Sequence, residues 1–229
     1  MAERPFRVIA RVRNGFGAKF GVPRQSGLVP AVRAEVVFEP GFRVPEAVRG
    51  LDGFSHIWLL WEFSLAVRGA GEEWSPTVRP PRLGGNERMG VFATRSPFRP
   101  NPIGLSCVRL ERVEMTPDRG PVLHVSGADM VDGTPVYDIK PYLPYADSVP
   151  GATGGFAAEP PGDRLRVDLP EALARGLSAE VRAAVVGLLA ADPRPAYQDD
   201  PERVYGLSYA GREIRFRVAD GIVQVLSVE

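Results

Sequence analysis

Nine side chains in this sequence offer chemistry that packing alone does not ask of them: Arg24, Gln25, His56, Arg95, Arg99, Asn101, Asp132, Thr134 and Asp138. Guanidinium groups present fixed donor forks to anions, amides read donor and acceptor edges, and carboxylates or an imidazole move protons. Such a set suits an anion or the edge of a nucleotide. The parts of several common enzymes are missing: there is no Walker phosphate loop, no Gly-x-Ser-x-Gly elbow and no His-Glu-x-x-His, and His56 and His124 are the only histidines. Cys107 is the only cysteine, which removes an internal disulfide and a cysteine-based zinc site and fits a reducing, cytoplasmic compartment. No metal is expected.

Positioning these groups falls to stiff or glycine-rich turns. From Gly90 to Ser106 an apolar entry (Val91, Phe92) and an apolar exit (Ile103, Leu105) enclose Arg95, Ser96, Arg99 and Asn101 among three prolines. Each proline fixes its own φ and biases the residue before it away from helix, so the spacing predicts strand, stiff loop, strand, with little entropy left to lose on binding. Gly15, Gly17 and Gly21 nearly spell a dinucleotide fingerprint, but the last spacing is one residue too long and Val22-Pro23-Arg24-Gln25 follows where a helix should open. What remains there is a glycine loop ending in a charge and an amide. Asp132-Gly133-Thr134-Pro135-Val136-Tyr137-Asp138-Ile139-Lys140-Pro141 is a further turn-rich polar stretch. Ser64 to Gly90 is longer than a plain connection needs, and Trp74 with its neighbouring arginines suits base stacking and phosphate contact.

The framework around these turns is mainly β. Phe6 to Arg13 and Ala31 to Glu39 alternate apolar and polar residues, the pattern of half-buried strands. Phe54 to Phe63 is nearly all apolar and predicts a strand buried on both faces, with His56 inside it. Leu105 to Met115 and Pro121 to Asp129 form a hairpin across Thr116 to Gly120. Ser178 caps a helix whose Val181, Ala184, Val185, Leu188 and Leu189 share a face, and Asp220-Gly221 joins two alternating runs as a second hairpin. These elements predict a closed or nearly closed β-barrel over residues 1–148, a linker over 149–162 and a small α+β domain over 163–229. The N-terminus has no apolar signal core, and the apolar runs are too short to span a bilayer.

Charge is balanced in total, 28 cations against 28 acids, but not in distribution. Six cations and no acid lie between Arg4 and Pro30, whereas Tyr145 to Asp200 carries nine acids against five arginines. A basic front of this kind suits a polyanion.

Five of these stretches together resemble the TrmO, or TsaA-like, methyltransferases: Pro23-Arg24-Gln25, Asp52 to Trp58, Arg79 to Asn86, Gly90 to Ser106 and Asp132 to Tyr142. The likeness continues into Asp192-Pro193-Arg194-Pro195-Ala196-Tyr197 and Tyr205-Gly206, so it covers nearly the whole chain. The resemblance implies an S-adenosylmethionine-dependent tRNA methyltransferase built on a β-barrel, working as a homodimer. It would act on N6 of threonylcarbamoyladenosine at position 37, in the anticodon loop. By the same likeness Pro23, Arg24, Gln25, His56, Ile57, Arg95, Leu105, Asp132, Gly133, Thr134 and Pro135 match the cofactor-binding stretches.

The target nitrogen is amide-like and attacks well only as its proton leaves, which calls for a general base. Asp138 is the candidate, from its place in a polar loop after the cofactor turn, with Tyr137 and His56 as competitors. Arg99, Lys140, Arg194 and Tyr197 are the residues expected to contact tRNA. Two other functions fit the residues: a non-catalytic module that grips single-stranded RNA, and an S-adenosylmethionine-dependent methyltransferase acting on a small molecule.

Overall fold

Alternating side chains organise the N-terminal part of the chain into six strands that close on one another. The computed structural model describes residues 5–65, 74–80, 87–158, 164–194, 198 and 200–229. Strands β1 (Ala10–Asn14), β2 (Arg33–Phe38) and β3 (His56–Glu62) are followed by a two-stranded ladder of β4 (Thr77–Val78) and β5 (Met89–Gly90). Then come β6 (Ile103–Thr116), β7 (Gly120–Ser126) and β8 (Pro135–Pro141). The barrel order is β1-β2-β7-β6-β3-β8, every neighbour is antiparallel, and β8 pairs back onto β1. Closure leaves no barrel edge to template aggregation. Val12, Val36, Ile57, Leu59, Val108, Leu123 and Val136 fill the interior, each at most 1% exposed.

Antiparallel alternation decides which connections share an end. The connections 15–32, 63–102 and 127–134 all leave one mouth of the barrel, while 39–55 and the β6–β7 turn lie at the other. This topology brings most of the polar turns together.

Two expectations are corrected. Strand β3 is not buried on both faces. Ile57, Leu59 and Trp61 point inward, while His56, Trp58, Leu60 and Glu62 are half-exposed on the outside. The outward residues are themselves apolar or aromatic, which hid the period of two. Asp138 does not lie in a loop but in β8, opposite Leu60, because the turn chemistry ends at Pro135 and branched Val136 and Ile139 extend the chain beyond it.

Beyond the barrel, α1 (Pro144–Asp147) is a single turn, and the 149–162 stretch contains a short 3-10 turn at Gly155–Ala157. The C-terminal part runs β9 (Arg166–Asp168), α2 (Glu171–Ala174), α3 (Ala179–Ala190), β10 (Tyr205–Tyr209), β11 (Arg212–Ala219) and β12 (Ile222–Val228). Ser178 Oγ caps α3 by accepting Val181 N–H at 3.2 Å. The strands form a sheet ordered β10-β11-β12-β9, with β9 parallel to β12, and Ala184, Val185, Leu188 and Leu189 of α3 are buried against its apolar face. Asp220 and Gly221 both have positive φ, 51° and 72°, the geometry of a tight β11–β12 hairpin.

This sheet docks at the barrel mouth from which the 15–32 connection leaves. Gly15 C=O accepts Ala210 N–H at 2.8 Å, the rings of Phe16 and Tyr209 meet edge to face at 4.9 Å, and Gly187 lies beside Val29. One continuous core joins the two parts. Among the described residues no helix is long and apolar enough to cross a membrane.

Candidate functional site

At the mouth that gathers three connections, Arg95 and Gln25 tie two of them together. Arg95 Nη1 donates to Gln25 Oε1 at 2.5 Å, and Gln25 Nε2 donates to the Arg24 carbonyl at 2.6 Å. Arg24 is exposed and reaches the Arg194 carbonyl at 2.8 Å, linking this loop to the segment after α3. Pro23 is buried beneath them and fixes the turn.

Behind the pair lies a group that the sequence argument did not single out. Trp61 Nε1 donates to Ser106 Oγ at 2.9 Å, and Ser106 Oγ donates to Asp129 Oδ1 at 2.5 Å. This chain starts in the barrel interior, where Ser106 is fully buried, and ends on the third connection. Burial pushes the Asp129 carboxyl up from the ordinary 3.8 to about 6, against the lowering effects of Ser106, the backbone N–H groups of Asp129 and Ser26, and the charge of Arg95. Asp129 thus sits between the barrel core and the Arg95–Gln25 pair. The one signal that could have found it is its place as the only carboxylate between Pro121 and Met130.

The Asp132–Pro135 turn belongs to the same mouth and is stitched to β1. Asp132 Oδ1 accepts Asn14 N–H at 3.0 Å and Oδ2 pairs with Arg13 at 3.3 Å. The Gly133 carbonyl accepts from Arg11 at 3.2 Å, the Thr134 hydroxyl donates to the Val131 carbonyl at 2.8 Å, and Gly133 takes the left-handed φ of 76° that glycine tolerates. Arg99 stands on the neighbouring connection with Nη1 donating to the Thr94 carbonyl at 3.1 Å, and Asn101 is exposed.

The other expected site residues do not join this group within one chain. Ile57 points into the barrel and is fully buried. His56, at the far end of β3, is half-exposed, with Ser55 Oγ 2.9 Å from its Nδ1 and Tyr142 edge to face at 6.2 Å. Leu105, Leu60 and Asp138 form one row across the outer face of β6, β3 and β8. Asp138 Oδ2 pairs with Lys140 Nζ at 2.8 Å, and Leu105 is 48% exposed. Tyr137 donates its hydroxyl to Glu62 and stacks on Phe6 at 5.3 Å. Burial, then the Glu62 contact, pushes this phenol up to about 12, so it stays protonated at neutral pH. The Arg194 side chain is 11% exposed and turned onto Asp192 at 2.9 Å. Tyr197 lies outside the described residues, as do Pro81 to Asn86.

There are therefore two clusters. The mouth combines guanidinium and amide donors with a sunken carboxylate, a set that can hold an anion or the edge of a nucleotide. The outer face of β6-β3-β8 offers exposed apolar side chains beside a carboxylate and an amine.

Comparison with known proteins places this geometry. Residues 11–148 match the family model described as the tRNA-methyltransferase O N-terminal domain, and residues 164–229 match the TrmO C-terminal domain. The chain is 41% identical over 237 residues to a tRNA (adenine(37)-N6)-methyltransferase of Escherichia coli strain K12, covering 100% of this chain and 99% of the relative. It is 51% identical over 175 residues to the protein of the same description from Eikenella corrodens, covering 76% of this chain and 97% of the relative. A crystal structure of TrmO from Pseudomonas aeruginosa superposes with a TM-score of 0.80 at 34% identity, covering 100% of this chain and 99% of that one.

Proposed function

This chain belongs to the tRNA-methyltransferase O family, and from that premise we propose how its two clusters carry out the reaction. It is an S-adenosylmethionine-dependent tRNA (adenine(37)-N6)-methyltransferase. The finer reading is that it acts on threonylcarbamoyladenosine in the anticodon loop, as a homodimer, in the cytoplasm. The observation that carries the reading is the meeting of three connections at one barrel mouth, with Arg95 and Gln25 hydrogen-bonded across two of them.

The cofactor supplies a methyl group already activated on a sulfonium. The work left to the protein is orientation, water exclusion and removal of one proton. Arg24 and Arg95 present guanidinium forks to a carboxylate, Gln25 an amide to hydroxyl or base edges, and the Asp132–Pro135 turn a rigid backbone wall, with Gly133 and Thr134 inside it. Pro23 sets the first loop beneath them. Arg99 and Lys140 contact the tRNA backbone, while Arg194 acts by holding Arg24 through its carbonyl.

Asp138 accepts the N6 proton. Its Oδ1 already accepts the Ile139 N–H at 2.9 Å and its Oδ2 faces Lys140, so the carboxylate is held in one orientation. Asp138, Leu105 and His56 lie on the outer barrel face rather than at the mouth of their own chain. A homodimer that sets this face of one protomer against the mouth of the other reconciles the two clusters.

Mass spectrometry of nucleosides from tRNA incubated with isotopically labelled S-adenosylmethionine tests the activity. The expected product is a methylated threonylcarbamoyladenosine. Label found only on a small molecule, or nowhere, would overturn the reading. A second measurement tests the base and the sharing of sites together. Asp138→Asn is expected to lower turnover by about 10²-fold or more, Arg95→Ala to weaken cofactor binding, and a refolded mixture of the two variants to recover activity. Near-normal turnover in Asp138→Asn removes the base assignment, and a mixture no better than its parents removes the shared site.

A further inference from the structure

Between Glu62 and Ile103, Trp74 and Phe92 are exposed aromatic side chains that stand outside the buried core of the described residues. Trp74 is 44% exposed and Phe92 is 72% exposed, yet their ring centroids lie 5.8 Å apart with the planes tilted by 36°. The ladder of β4 and β5 holds them together: Thr77 pairs with Gly90, Val78 with Met89, and Val91 N–H donates to the Pro76 carbonyl at 2.9 Å. Val91 is buried and anchors the turn that lifts Phe92 outward. The aromatic pair is therefore fixed by backbone pairing, while its own apolar surface is left in water, a cost with no return within the fold.

The charges around it choose the partner. Among the described residues from Trp74 to Pro102 there are four arginines, Arg79, Arg88, Arg95 and Arg99, against one acid, Glu87. Arg88 is oriented by a hydrogen bond to Thr77 Oγ1 at 2.9 Å, and Arg95 follows Phe92 by three residues on the way to the Gln25 contact. Exposed rings in a segment rich in guanidinium groups are the composition by which proteins hold unpaired nucleotides, the rings stacking on bases and the cations following the phosphates. A protein partner or an apolar small molecule would not call for so one-signed a segment.

We propose that Trp74 and Phe92 form a stacking platform for an unpaired base of the RNA substrate, beside the mouth that holds Arg95. This rests on the tRNA methyltransferase reading above. It assigns the platform to sequence-tolerant grip of a splayed loop, a base being held by its π-face while the target adenosine is presented elsewhere.

Trp74→Ala and Phe92→Ala are each expected to weaken binding of an unmodified tRNA transcript about tenfold, with Trp74→Phe close to wild type. The slope of log affinity against log salt should not change, because stacking releases no counterions. Binding of S-adenosylmethionine, read by thermal shift, should also be unchanged, which confirms that the variants fold. An unstructured oligonucleotide should quench the fraction of tryptophan emission that Trp74→Phe removes. Alanine variants that bind the transcript within twofold of wild type, or whose salt slope falls by about one, would overturn the platform. Absence of that quenching in the wild-type protein has the same meaning. If the quenching is present but no label reaches tRNA, the platform stands and the methyltransferase reading falls.

Discussion

Gly104→Ala is expected to lower the melting temperature by roughly 10 °C and to disable the proposed cofactor mouth with it. Gly104 pairs with Trp61 across β6 and β3, and a methyl group built on it would lie closer than 3.0 Å to several carbons of the Trp61 indole. The obstacle is a ring fixed in place, not the end of a flexible chain. Trp61 is 5% exposed, packs on Phe63 with centroids 4.3 Å apart, and donates its indole N–H to Ser106. Overpacking costs about 1–3 kcal/mol, and a displaced indole also forfeits its buried hydrogen bond, so about 3 kcal/mol is a fair magnitude. At 2–4 °C per kcal/mol for a chain of this size, the shift follows. Differential scanning calorimetry of Gly104→Ala, Trp61→Phe and the double variant checks the cause: the smaller Phe ring should relieve part of the clash, making the double variant less destabilised than the sum of the two. A Gly104→Ala protein melting within 2 °C of wild type, or strictly additive variants, would show that the close approach does not matter.

How far the sequence revealed this arrangement depends on whether the information was local. The C-terminal hairpin was legible because Asp220-Gly221 specifies its own turn, and α3 because Ser178 and the spacing of its apolar residues lie within one short window. The barrel was legible through alternation in β1, β2, β6 and β7, but the meeting of the polar turns was not, because it depends on the pairing order of strands distant in sequence. Strand β3 misled because Trp58 and Leu60, outward on the barrel, are as apolar as Ile57 and Leu59 within it. The parallel pairing of β9 with β12 left no trace, since three residues of Arg166–Asp168 carry too little pattern and their partner lies more than fifty residues away. Asp129 was hidden for a related reason. Its partners, Ser106 and Trp61, come from two other strands, and only their approach in space gives the carboxylate a purpose.

That carboxylate should give the protein a stability and a cofactor affinity that depend on pH in opposite senses. Burial holds Asp129 at about 6 in the fold against an ordinary 3.8, so the folded state binds its proton more tightly than the unfolded state does. A raised value means stability that is fully present below pH ~4 and is lost as pH rises through about 6. At 1.36 kcal/mol per pH unit the loss attributable to this group is at most about 3 kcal/mol. Glu111 and Glu114 work the other way. The Ser126 hydroxyl holds Glu111 below the usual carboxylate range and the His124 contact does the same for Glu114, so both favour the fold as pH rises. The difference between wild type and Asp129→Asn isolates the Asp129 contribution. The asparagine keeps an acceptor for Ser106 but cannot ionise, so relative to wild type it should gain stability from pH 4 to 7 and then level off. Under the proposed cofactor site, ionised Asp129 is the countercharge that steadies Arg95 against Gln25. Asp129→Asn should therefore raise the KM for S-adenosylmethionine about tenfold at pH 7.5, with a smaller change in kcat. It should also remove the rise in KM expected of wild type on acidification through pH 6. Urea titrations at pH 4.5, 6 and 7.5, together with the pH profile of KM, check both halves. Parallel stability curves for the two proteins would show that Asp129 does not carry the pH dependence, and a tenfold fall in kcat at unchanged KM would mean that it acts on the reaction itself rather than by positioning Arg95.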